Sequence, residues 1–320
     1  MAVTIPAVRK ESLRDAYGET LVSLGEADPN LVVLDADLAG STRTQLFGKR
    51  FPDRFFDIGV MEPTMMTIAA GLSFGPRTVF ASTFAVFAAG QAYNQVRQSI
   101  CYNRANVKIV ATHGGLLVGP DGGTHQMIED IGLMRGLPGM TVIVPADAPT
   151  TRSAIRAIAG FQGPAYVRLT RENLPTVTDG KFEIGKANEL RSGSDLTIVA
   201  VGALLARGLV VADELGRVGV SCRVLDLASV KPVDVPALLR AARDTGAILV
   251  LEEHTVETGI GALVAATTTE SYPVPVRRVG VPDVFGESGD AWAVLDHFGL
   301  STSRILDEAW ELLELRGKVQ

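Results

Sequence analysis

A chain of 320 residues, 47% hydrophobic and 21% charged, has more material than one ordinary domain needs and is too apolar to belong to the disordered class. Its formal net charge is −6 and its Lys and Arg residues are scattered, which argues against nucleic acid or an anionic membrane as a partner. Cys101 and Cys222 are the only cysteines, so a disulfide framework and a cysteine-based metal site are both excluded, and a reducing, cytoplasmic setting is expected.

The N-terminus, Met1-Ala2-Val3-Thr4-Ile5-Pro6, runs directly into Arg9, Lys10 and Glu11, with no apolar stretch that would serve as a signal peptide. Residues 31–34 read as a strand, followed by a turn, Asp35-Ala36-Asp37-Leu38-Ala39-Gly40-Ser41. Asp57-Ile58-Gly59-Val60-Met61-Glu62-Pro63 then leads into a helix expected over 64–73. Pro63 suits the first turn, where its missing N–H would lack a partner anyway. Glu62 is thereby placed at the helix start among Val60, Met61, Met65 and Met66. It is either an acid favoured by the helix dipole or a carboxyl held in an apolar pocket where it can keep a proton.

From Thr78 to Val96 no residue is charged, but Ser82, Thr83, Gln91, Asn94 and Gln95 suit lipid poorly, so burial between layers or subunits is expected. Phe84 and Phe87 within it are either core or the wall of a flat pocket for an aromatic ring. Residues 107–111 predict another strand. After it comes Thr112-His113-Gly114-Gly115-Leu116-Leu117-Val118-Gly119-Pro120-Asp121-Gly122-Gly123-Thr124-His125-Gln126, with two of the four histidines and an aspartate among five glycines. Glycines let a backbone approach a ligand closely, and loops after parallel strands are where α/β sheets bind ligands. His113, Asp121 and His125 could also be read as zinc ligands, but their spacing matches no compact zinc motif.

Strands are expected at 141–144 and 165–169. Arg171 follows the second, within Leu169-Thr170-Arg171-Glu172-Asn173-Leu174-Pro175, and suits a phosphate or carboxylate, with a structural ion pair as the ordinary alternative. Around 175–194 the sequence turns rich in Gly, Lys, Asp and Asn, which places a first domain over 1–178, a linker over 179–194 and a second domain over 195–320. The second domain repeats the alternation, with strands expected at 196–201, 222–227, 247–251 and 276–281 and an amphipathic helix at 305–315. The fold class is therefore α/β: two domains, each a mostly parallel sheet flanked by helices.

In this order the motifs resemble the C-terminal half of transketolase, a pyrimidine-binding domain followed by the transketolase C-terminal domain. The turn ending at Ser41, Gly59-Val60-Met61-Glu62, the Phe84/Phe87 pair, the two-histidine loop and the Leu169-to-Pro175 run all carry the resemblance. Leu251-Glu252-Glu253-His254 and Phe285-Gly286-Glu287-Ser288-Gly289 extend it over nearly the whole chain. The resemblance implies a thiamine-diphosphate enzyme that moves a two-carbon ketol unit from a ketose to an aldose. It further implies that Glu62 hydrogen-bonds the cofactor's aminopyrimidine and that Phe87, with Phe84, stacks on it. His113 and His125 would assist substrate hydroxyls, Asp121 and Asp37 would contact the sugar, and Arg171, Ser41 and Arg9 would bind its phosphate. No Gly-Asp-Gly motif for a diphosphate and Mg2+ is present, so an N-terminal partner subunit and an α2β2 heterotetramer are expected. The beta subunit of a 2-oxoacid dehydrogenase and a deoxyxylulose-phosphate synthase are the rival readings; the first lacks such a histidine loop and the second is a single long chain. This chain departs from the family at Met61 and Pro63, at Gly114-Gly115 after the first histidine, and at Gly90.

Overall fold

Runs of β-branched residues form strands, and the segments between them fold back as helices, giving the expected α/β architecture. The computed structural model describes residues 9–319, so the reading of Met1 to Pro6 lies outside the described residues. The first half holds β1 (Lys10–Ser12), β2 (Leu31–Asp35), β3 (Phe55–Asp57), β4 (Thr78–Phe84), β5 (Val107–Thr112), β6 (Thr141–Ile143), β7 (Ala165–Arg168) and β8 (Asn173–Pro175). The second holds β9 (Asn188–Arg191), β10 (Leu196–Ala200), β11 (Cys222–Asp226), β12 (Ser229–Lys231), β13 (Ile248–Thr255) and β14 (Val276–Val281).

The first sheet runs β12-β6-β7-β5-β4-β2-β3 and is parallel except at β12. Helices cover both faces, so β2 and β5 are buried at every residue and read as continuous apolar runs rather than alternating ones. The chain leaves β2 for β3 on one side and returns to β4 on the other. Loops diverge at the carboxyl ends of β2 and β4, the place where such sheets open a binding crevice. The second sheet runs β14-β13-β10-β11-β9, with β9 alone antiparallel.

Two expectations change, and a third is met from within the chain. The helix expected from residue 64 begins at Glu62 and spans Glu62–Ser73, because Pro63 is accommodated inside its first turn. The expected linker at 179–194 contains β9, whose polar sequence Asn-Glu-Leu-Arg suits a half-exposed edge strand and does not read as one. The uncharged 78–96 segment divides into central strand β4 and a helical stretch with π-turns, and Ala85, Ala88, Ala89, Ala92 and Val96 are buried within this chain itself.

Candidate active site

The carboxyl ends of β2, β4, β5 and β7 bring most of the expected site residues to one edge of the first sheet. Asp35 organises the turn after β2: its carboxylate accepts from the Leu38 N–H at 2.7 Å and from the Thr42 and Thr44 hydroxyls, each at 2.7 Å. Burial pushes its pKa up to about 6 against those three donors. The turn leaves Asp37 exposed with φ 63° and the Ser41 carbonyl facing inward. Glu62 sits in the first turn of its helix, 1% exposed above buried Met65 and Met66, and its Oε2 has no hydrogen-bond partner. Val60 and Met61, expected in the same apolar shell, face outward instead. A buried carboxyl oxygen without a partner costs free energy unless a ligand supplies one.

A stack of flat rings lies at the same edge. Phe84 and Phe87 stack with nearly parallel planes, their centroids 5.9 Å apart and the interplanar angle 11°. His113 lies against Phe84 at 3.7 Å, and His125 meets the edge of Phe87 at 5.7 Å. His113 holds φ 59°, a left-handed conformation that costs on the order of 1–3 kcal/mol in a non-glycine residue. Its Nδ1 lies 2.9 Å from the Thr112 hydroxyl. Burial, with Arg14, Arg171 and His125 adding to it, lowers its pKa to about 3. A histidine with its pKa so lowered stays neutral across physiological pH. The His113 ring resonances are therefore expected to be constant between about pH 5 and 8 by NMR; a titration with a midpoint near 6.5 would contradict the packing described here.

The third component is cationic. Arg171 Nη1 donates to the Val118 carbonyl at 2.7 Å and lies 3.9 Å from Asp121, which ties it to the histidine loop. Arg14 donates to the Ser41 carbonyl and to the Arg171 carbonyl, both at 3.0 Å, and joins the loops after β2 and β7. Burial lowers its pKa, with Arg43 and Arg171 adding to the effect. Arg14 was not among the expected residues. Its signal in the sequence is a cation in the first turn of the helix capped by Ser12, where the dipole disfavours it unless another role holds it there. Arg9 is not brought to this cluster: its side chain is 81% exposed beside Glu11, and its carbonyl accepts from Thr176 at the opposite end of the β1–β8 ribbon. Among the described residues no group of three or more His, Cys, Asp or Glu side chains could hold a metal ion.

An unpaired acid at a helix start, a wall of flat rings and a cationic rim are what a flat heteroaromatic ring and an anionic substrate would need. Residues 9–177 match the transketolase pyrimidine-binding domain and residues 185–305 the transketolase C-terminal domain, which defines a chain with the pyrimidine side of a thiamine-diphosphate site. It is 42% identical over 307 residues to a putative transketolase C-terminal section from Methanocaldococcus jannaschii, covering 93% of this chain and 96% of that one. Against the 6-deoxy-6-sulfo-D-fructose transketolase subunit SqwH of Clostridium sp. strain MSTE9 it is 39% identical over 304 residues, 94% of each chain. A solved structure described as "Split gene transketolase, inactive beta4 tetramer" superimposes with a TM-score of 0.89 at 48% identity, covering 95% of this chain and 99% of that one. The chain belongs to the transketolase family, whose members depend on thiamine diphosphate, and it has the make-up of the C-terminal section of a split transketolase.

Proposed function

We propose that the chain is the C-terminal subunit of a thiamine-diphosphate-dependent transketolase that carries a two-carbon ketol unit from an anionic ketose to an aldose. The observation that carries this reading is the buried, unpartnered Glu62 Oε2 at the edge that also presents Phe84 and Phe87. Those residues fit an aminopyrimidine: the carboxyl would share a proton with a ring nitrogen, and Phe87, flanked by Phe84, would cover the ring face. When bound, thiamine diphosphate supplies the carbon nucleophile of ketol transfer. Neutral His113, its Nδ1 engaged by Thr112, would offer Nε2 to a substrate hydroxyl, and His125 would serve a second hydroxyl. Asp121 and Asp37 would orient the sugar, and the Arg171–Arg14–Ser41 group would hold its anionic end. The diphosphate and Mg2+ fall to a partner subunit carrying that half of the site, in an assembly of two copies of each chain. The relative described as an inactive beta4 tetramer supports this dependence, because its description pairs a beta-only assembly with inactivity. The sulfofructose enzyme supports an anionic substrate whose charge need not be a phosphate.

The experiment that tests the reading mixes the chain with a diphosphate-binding subunit and assays ketol transfer; no transfer with any anionic ketose would overturn it. Within the active complex, Arg171→Ala removes a charge-assisted contact worth ~1.5–3 kcal/mol, so KM for anionic sugars is expected to rise roughly 10- to 100-fold. Uncharged acceptors should change much less, and an equal loss for both would make Arg171 purely structural.

A further inference from the structure

Gly114 and Gly115 depart from the family's usual residues, and the chemistry proposed above does not require them. Packing does. A Cβ on Gly114 would collide with the Arg168 side chain, and one on Gly115, held at φ 85°, would collide with the Glu253 carboxyl. Glu253 comes from the second domain, near the end of β13, and is 4% exposed. Its Oε1 accepts the Leu117 N–H at 2.6 Å, at the start of the short helical turn Leu116–Asp121, where backbone donors otherwise lack partners. Arg168 fixes the same junction, donating to the Glu253 carbonyl at 2.8 Å and the Met127 carbonyl at 3.2 Å and lying 3.2 Å from Asp130. The flanking residues make analogous contacts. Glu252 accepts from the Ile260 and Gly261 N–H groups at 2.6 and 2.9 Å, inside its own domain, and His254 Nε2 accepts from Gly132 N–H at 3.2 Å.

We propose that Glu253 is a positioning residue for catalysis: its carboxyl, inserted across the domain boundary into space left by Gly114-Gly115, sets the backbone of the histidine loop. The turn that it holds supplies the Val118 carbonyl that aims Arg171, and it continues directly from His113, stacked on Phe84. One carboxyl from the second domain thus sets two groups of the first domain's site. The proposal rests on the functional reading above, since the groups that it positions are those assigned to the substrate.

Glu253→Ala, Glu253→Gln and Glu252→Gln would be compared in the reconstituted complex, with amide hydrogen exchange followed on the chain itself. Glu253→Ala should lower kcat ~10- to 100-fold, as misplacement of reacting groups by about 1 Å does, and should raise exchange at Leu117 by about tenfold. Glu253→Gln keeps an acceptor and should restore kcat to within about threefold, while Glu252→Gln should leave kcat unchanged. If Glu253→Ala fails to fold, Gly115→Ala, which displaces the same carboxyl, replaces it. Wild-type kcat in a folded Glu253→Ala or Gly115→Ala complex, or unaltered Leu117 exchange, would overturn the proposal. A wild-type complex without ketol transfer would instead overturn the function, and the exchange measurement would still decide whether the carboxyl holds the loop.

Discussion

Glu62→Gln is expected to preserve the fold and slow ketol transfer ~10²- to 10⁴-fold, the range over which a positioned proton-transfer group acts. The substitution is isosteric, and the Met65 and Met66 packing beneath it is unchanged. At the helix start the loss of a negative charge costs only about 0.3–1 kcal/mol through the dipole, too little to unfold a domain of this size. On the function proposed above, what is lost is the proton that the Glu62 carboxyl would share with the aminopyrimidine through its unpartnered Oε2. Steady-state kinetics of the reconstituted complex, with thermal unfolding of the variant as a control, make the measurement. Turnover like the wild type in a folded Glu62→Gln complex would remove Glu62 from the mechanism.

The second large effect concerns assembly. Alone, the chain is expected to bind thiamine diphosphate and Mg2+ negligibly and to show no ketol transfer, because it carries the pyrimidine side of the site and, among its described residues, no metal-binding cluster. The surface beside Glu62 is open: Val60 is 72% and Met61 52% exposed, on the loop that leads into the Glu62 helix. Phe74 just beyond that helix and Tyr102 after the second π-turn are also exposed. Large apolar side chains left open to this extent, above all the adjacent Val60 and Met61, normally lie in an interface. Self-association is expected without the partner, and two copies of each chain with it. Light scattering of the separate and mixed chains and calorimetry with the cofactor would read both; tight cofactor binding with turnover by the single chain would overturn the split.

Much of the fold was legible because it is local. Strands buried on both faces announce themselves as β-branched runs, and Pro63 marks a helix start from its own backbone chemistry. The uncharged 78–96 segment announced burial correctly but not by what, since composition reports loss of water and not the identity of the cover. The structure covers most of it from within the chain and leaves the neighbouring Val60 and Met61 open. Arg9 and Arg14 are five residues apart, and only the helical phase set by the Ser12 cap turns the second toward Ser41 and Arg171. β9 escaped notice because a polar edge strand satisfies its backbone through a partner far along the chain. The Leu117–Glu253 contact spans 136 residues, and no local pattern encodes it.

β12 has a consequence of another kind. Ser229–Lys231 belongs by sequence to the second domain, yet it forms the last strand of the first sheet, and the Lys231 Nζ donates to the Arg135 and Leu137 carbonyls. Each half is thus incomplete as a module. Shuffling second domains between relatives to alter substrate preference would carry a foreign edge strand into the first sheet, because any crossover between β6 and β12 separates the two paired strands. Productive recombination in this family should therefore fall outside the Thr141-to-Lys231 stretch, with β6 and β12 inherited together.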